Sequence, residues 1–241
     1  QALDRANAGP DAGPDADPEE GTAAPTPKGT PASTATAPTE MPTTIERTET
    51  PPDDPAEADL ATPYVAATLD IDVNRPLRDV PVKHMATWVR QIVETEHPVH
   101  TDVVARRIVA ASDVSRLGKR IRQRIQKGIA YAARQEWIAH TNDILLDPSA
   151  DGIPIRDRSG AGDGVRDIRR VPPQEIAAAA EQITQTAFGI APDALIPQVA
   201  RTLGFQRTGS TIEATIRAVL DDLQVRGRLL QDDGQWVVPA E

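Results

Sequence analysis

The chain matches itself. Shifted by 91 residues, Arg116-Leu117-Gly118-Lys119-Arg120-Ile121 falls on Arg207-Thr208-Gly209-Ser210-Thr211-Ile212 without a gap. The same shift pairs Ile92 with Ile183, Val99 with Ile190, Asp102 with Asp193, Val104 with Leu195, Ile108 with Val199, Ile125 with Ile216, Ile129 with Leu220 and Ile138 with Leu229. Apolar residues meet apolar residues nearly throughout, so the two stretches share one buried face and one small fold. Two copies are too few for a solenoid, and the stretch between them is loop-like, which predicts two domains in series.

In the first copy Met85, Trp88, Val89, Ile92 and Val93 recur at helical spacing, predicting a helix over 82–96 that Pro98 ends. Thr101 is the expected N-cap of a second, shorter helix through Val103, Val104 and Ile108. Ser115 or Gly118 then opens a third, with Ile121, Ile125, Ile129 and Ala132 on its buried stripe. Two β-prone pieces follow, Trp137-Ile138-Ala139 and Ile144-Leu145-Leu146, around the polar turn Thr141-Asn142-Asp143.

The second copy repeats the order. Pro172-Pro173 starts its first helix and Gly189 closes it, Gly204 follows the second, and the third runs from Ile212 through Leu223 to Gly227. A hairpin around Asp232-Asp233-Gly234 completes the copy. Pro197 would interrupt a straight second helix at a cost of about 3 kcal/mol, so that helix is expected to start late or to kink. Three helices and a hairpin predict a mainly α fold with small β-hairpins, two tandem winged helix-turn-helix modules.

The rest of the chain has a different composition. Residues 1–63 have no large apolar side chain beyond Leu3, Met41, Ile45 and Leu60, too little to offset the entropy of ordering them. They contain three basic and thirteen acidic residues, a net of −10 that equals the charge of the whole chain and leaves the remainder neutral. The expected organisation is a disordered acidic Pro/Ala/Thr-rich linker over 1–63, an extended lead-in over 64–81, a first module over 82–148, a linker over 149–171 and a second module over 172–241.

Without cysteine there is no disulfide, zinc-thiolate or iron–sulfur site and no cysteine nucleophile. No run approaches the roughly 18 apolar residues of a membrane span, so no membrane partner is expected and the cytoplasm is the expected compartment. The chain opens at Gln1 within an acidic stretch, which suggests a piece of a longer protein.

Catalysis finds little support. The one Gly-Lys pair, Gly118-Lys119, lacks the glycine and the hydroxyl residue of a phosphate-cradling loop. Dense acids such as Glu19-Glu20 and Asp53-Asp54 lie where nothing preorganises them. His97 and His100 alone are a weak metal signal and read better as turn residues. Trp88, Trp137 and Trp236 read better as core than as stacking platforms. No catalytic residue, metal, cofactor or small-molecule substrate is expected.

One stretch carries a functional signal. From Ser115 to Gln135 the chain holds Arg116, Lys119, Arg120, Arg122, Arg124, Lys127 and Arg134 and no acid. With the isoleucines facing inward, these cations cover the outer arc of the third helix, a face suited to nucleic-acid phosphates. The corresponding helix of the second copy mixes Arg207, Arg217 and Arg226 with Glu213, Asp221 and Asp222, which suits a protein partner better. In the spacer, Arg156, Asp157 and Arg158 could clip the modules together or be solvated loop.

Several local runs carry a resemblance. They are His97-Pro98-Val99-His100 ahead of Val104-Ala105-Arg106-Arg107-Ile108, the Arg-x-Gly-x-x-Ile signature in each copy, and Ile155-Arg156-Asp157-Arg158-Ser159 in the spacer. Val171-Pro172-Pro173-Gln174-Glu175-Ile176 and Leu203-Gly204-Phe205-Gln206-Arg207-Thr208-Gly209-Ser210 complete the set. From Tyr64 to Val238 the chain resembles a bacterial domain of unknown function that closes large superfamily I helicase proteins with a Vsr-like nuclease segment, associated with phage defence. It departs from that pattern at Ser112-Asp113-Val114, where a glycine turn is usual, and at Thr211, where a basic residue is common. The resemblance implies a non-catalytic C-terminal accessory module of a DNA-processing enzyme. Its expected DNA contact is the basic third helix of the first module; the alternative is an adaptor docking the parent helicase or another protein without touching DNA.

Overall fold

Every helix start in the first copy recurs 91 residues later. The structure is a computed structural model that describes residues 60–71, 76–112, 114–162 and 164–239. The acidic linker expected over 1–63 lies outside the described residues up to residue 59. Chain order begins with the short strand β1 (Thr62–Pro63) and a 3₁₀ turn, η1 (Leu77–Asp79). The first copy continues with α1 (Val82–Glu96), β2 (Val99–His100), α2 (Thr101–Ala110), α3 (Lys119–Arg134), β3 (Ala139–Thr141) and β4 (Ile144–Leu146). After β5 (Arg156–Asp157) come η2 (Ile168–Arg170), α4 (Pro173–Thr186), α5 (Pro192–Thr202), α6 (Ser210–Val225), β6 (Leu230–Asp232) and β7 (Gln235–Val237).

Each copy is three helices on a small antiparallel sheet. In the first, β4 pairs with β3 and with β2, so that Val99 faces Leu145. In the second, β6 pairs with β7, and an isolated bridge from Ile190 to Trp236 stands in the place of Val99 and Leu145. The predicted stripes are the cores: Met85, Val89, Ile92, Ile108, Ile125 and Ile129 in one, Ile176, Ile183, Val199, Ile216, Leu220 and Leu223 in the other. α1 meets α3 at Gly128, where a Cβ would lie 2.6 Å from Cγ of the fully buried Met85. The absence of a side chain there sets how closely the two helices pack; Val219 holds the corresponding place in α6.

Three local expectations are corrected. The N-cap of α2 is His100 rather than Thr101, its Nδ1 accepting the Asp102 amide at 3.0 Å, because the imidazole supplies the acceptor that the first turn lacks. α5 does not start late: it begins at Pro192 and continues through Pro197. The carbonyl that a proline at this position leaves free belongs to Asp193, in the exposed first turn, where solvent can satisfy it. Trp137-Ile138 precedes β3 instead of forming it. Trp236 is buried in the second core, Trp88 packs on the first, and Trp137 meets Tyr131 edge-on at 5.9 Å with the Arg90 guanidinium over its ring.

Of the two readings of the spacer, a clip between the modules or a solvated loop, the buried arginines favour the clip. All described residues fall in one compact unit. β5 pairs in parallel with β1, and Arg156 and Arg158 are buried. Arg158 forms a two-pronged pair with the fully buried Glu175 of α4, at 2.7 and 2.6 Å, and its amide donates to Leu203 O. A Cβ on Gly204 would overlap the backbone of Arg158 and Ser159, and φ at that glycine is +89°, so the spacer lies flat on the end of α5 only because position 204 has no side chain. Arg156 reaches the other way. Its amide donates to Glu175 while its guanidinium donates to the carbonyls of Glu96 and His97 at the end of α1. Glu96 itself is buried and accepts from the Tyr64 hydroxyl, the Ala67 amide and Arg107. Burial, followed by the charge of and hydrogen bond to Glu96, pushes the Tyr64 phenol well above its ordinary pKa, so it stays a donor. One polar seam thus runs from the lead-in through α1 and the spacer to α4.

Candidate nucleic-acid interface

α3 starts at Gly118, which offers no side-chain cap, and its first turn carries Lys119, Arg120 and Arg122 with no acid. Cations beside the positive end of a helix dipole cost about 0.3–1 kcal/mol each when exposed. The sequence therefore accepts a local penalty to concentrate positive charge at this end. α6 places Glu213 there instead.

Helical spacing sorts the basic residues. Ile125, Gly128, Ile129 and Ala132 are buried. Arg120, Gln123, Lys127 and Arg134, spaced by three, four and seven residues, share the opposite, exposed face with Lys119. Arg116, on the loop before the helix, is exposed as well. Among the described residues no ion pair engages Arg116, Lys119, Arg120 or Lys127. Arg134 lies over the Tyr131 ring at 6.0 Å.

Two of the expected contacts are placed differently. Arg122 turns toward α2, where Asp102 gathers it at 3.2 Å together with Arg106 at 3.0 Å and Arg170 of η2 at 3.1 Å. Burial pushes the Asp102 carboxyl up, but hydrogen bonds and charge from Arg106, with further hydrogen bonds from Arg122 and Arg170, outweigh it and hold the group below the usual carboxylate range. Arg122 is thus part of a joint between α2, α3 and the second copy. Arg124 is half-buried on the other flank, and its Nε is shielded from solvent without an acceptor.

Arg124 faces residues that sequence reasoning did not single out. Arg78 and Asp79 of η1 form, with Arg120, Gln123, Arg124 and Lys127, a groove of about 280 Å³ along α3. No periodic signal marks a three-residue 3₁₀ turn, which is why 64–81 reads as a simple lead-in. In the second copy the matching α6 positions are Thr211, Ala214, Thr215 and Ala218. Arg217 of α6 and Arg226 just beyond its end are tied to acids one turn away, Glu213 and Asp222, both at 2.8 Å.

The His100 imidazole caps α2, and the backbone carbonyl of His97 receives Arg156. Among the described residues no cluster of three or more His, Asp or Glu side chains is placed to hold a metal, and no helix is long and apolar enough to cross a membrane.

Residues 75–123 match a family described as "Protein of unknown function (DUF3320)". The matched stretch, less than half of the chain, runs from η1 through α1 and α2 into the first turns of α3. No curated protein and no solved structure matches the chain.

Proposed function

We propose that this chain is a DNA-contacting accessory module built from two winged helix-turn-helix units, with α3 as the recognition helix of the first, and that it serves a helicase-type protein without performing chemistry itself. The observation that carries this reading is the exposed face of α3, which bears cations that form no ion pair among the described residues and no acid within the helix. On a chain with a net charge of −10, cations gathered on one exposed helix face without an acidic partner among the described residues suit a polyanion. The face holds a single glutamine, Gln123, among its cations and neither Asn nor acid, so it suits contact chiefly with backbone phosphates. The test is binding of a mixed-sequence duplex at increasing salt. Four or five phosphate contacts give a slope of about −4 in log K against log salt. Absence of binding at low ionic strength would overturn the reading.

Phe188 favours a second role, for the second copy. It is 95% exposed at φ +55°, a backbone region that costs a bulky L-residue about 1 kcal/mol or more. With the mixed charge of α6, this makes the second unit the protein-facing one. Phe188→Gly should raise stability by relieving the backbone and weaken co-purification with the helicase polypeptide it is proposed to serve. Unchanged co-purification counts against a protein-facing role.

A further inference from the structure

The groove between η1 and α3 is strongly cationic. Arg78, Arg120, Arg124 and Lys127 face one carboxylate, Asp79. Asp79 neutralises little: among the described residues it pairs only with Arg78, at 3.5 Å, and both side chains are more than half exposed. The space, about 280 Å³, far exceeds the ~15 Å³ that a single water needs, so a multi-atom anion fits. Arg124 lines the groove, and its Nε makes no hydrogen bond. A guanidinium in that state gains most from a planar or tetrahedral oxyanion that accepts two of its N–H groups at once.

We infer that this groove seats a backbone phosphate of the bound nucleic acid, with Arg78 as a contact from outside the helix. The inference rests on the proposed DNA contact by α3 and adds a specific site to it. Arg120 and Lys127 line both the groove and the exposed face of α3, so a strand following that face passes the mouth of the groove. Arg78 then grips the phosphate from the side opposite Arg124 and fixes the angle at which the helix meets the strand. The repeat contains its own control. Arg169 occupies the position of Arg78 in the second copy, but it faces no basic wall and is clamped by Asp167 at 2.9 Å.

The test compares duplex binding by the whole chain with that of Arg78→Gln and Arg169→Gln. Arg78→Gln should lower the salt slope by about 0.9, the value for one phosphate, and weaken binding several-fold at low salt, with Arg169→Gln indistinguishable from the parent. If the parent binds with the slope expected for α3 and Arg78→Gln leaves affinity and slope unchanged, the groove inference fails and the α3 reading stands. If the parent does not bind duplex, the α3 reading fails first. A titration with inorganic phosphate at constant ionic strength separates the two sources of phosphate. Amide resonance shifts at Arg78 and Arg124 that saturate at micromolar phosphate would mark a free-anion site and overturn a strand-seating role, whereas no saturation below tens of millimolar supports it.

Discussion

Glu175→Ala is expected to lower the unfolding free energy by about 3–5 kcal/mol, the cost of stranding a buried charge. Glu175 is fully buried and accepts both prongs of Arg158, which is itself 2% exposed, together with the amide of Arg156. Deleting the carboxylate leaves a guanidinium without counter-charge and a buried amide without acceptor. Neither group can turn to solvent, because the spacer is pressed onto Gly204 and held by the Arg158 amide at Leu203. The damage should spread across the chain, since Arg156 also holds the end of α1 through its guanidinium. Burial works against the charge of Arg156, and the nearby Glu175 is the first group to offset it, so removing Glu175 weakens both arginines. Urea denaturation should show a lower midpoint, and adding Arg158→Met to Glu175→Ala should recover part of the loss by removing the stranded charge. A loss below 1 kcal/mol would show that the seam is looser than its geometry.

What the sequence disclosed and what it withheld divide along physical lines. The repeat placed α1, α3 and α6 and both hairpins within a residue or two, because periodic burial and glycine or proline punctuation are local signals. β2 was hidden, since two residues of strand carry no period of their own and exist only through pairing with β4. Arg156 and Arg158 could be read as surface residues because charged side chains in a Pro- and Gly-rich stretch usually are; their burial depends on Glu175 and on carbonyls about 60 residues away. The cations of α3 were legible as a group, but not how they divide. That Arg122 belongs to the Asp102 joint and Arg124 to the η1 groove follows only from what flanks the helix.

Arg120→Glu combined with Arg124→Glu should abolish duplex binding, a fall of about 100-fold or more at low salt, since each reversal removes one phosphate attraction and adds a repulsion. The fold should survive. Arg120 is exposed and has no ion pair among the described residues, Arg124 makes no hydrogen bond through its Nε, and neither contributes to the apolar core. Replacing a cation with an acid in the first turns of α3 also reverses the unfavourable dipole interaction there, so stability should stay level or rise by about 0.3–1 kcal/mol. Lost binding with retained or improved stability is a combination that misfolding does not produce. The repeat again supplies the comparison: Thr211→Glu with Thr215→Glu places acids at the same two positions of α6, on a chain of the same net sign. If that pair weakens binding as much as the α3 pair does, the whole field of the chain governs association and α3 holds no special contact. If only the α3 pair acts, the two halves of the repeat have separate faces, and the cations kept free of partners along α3 are what meets the strand.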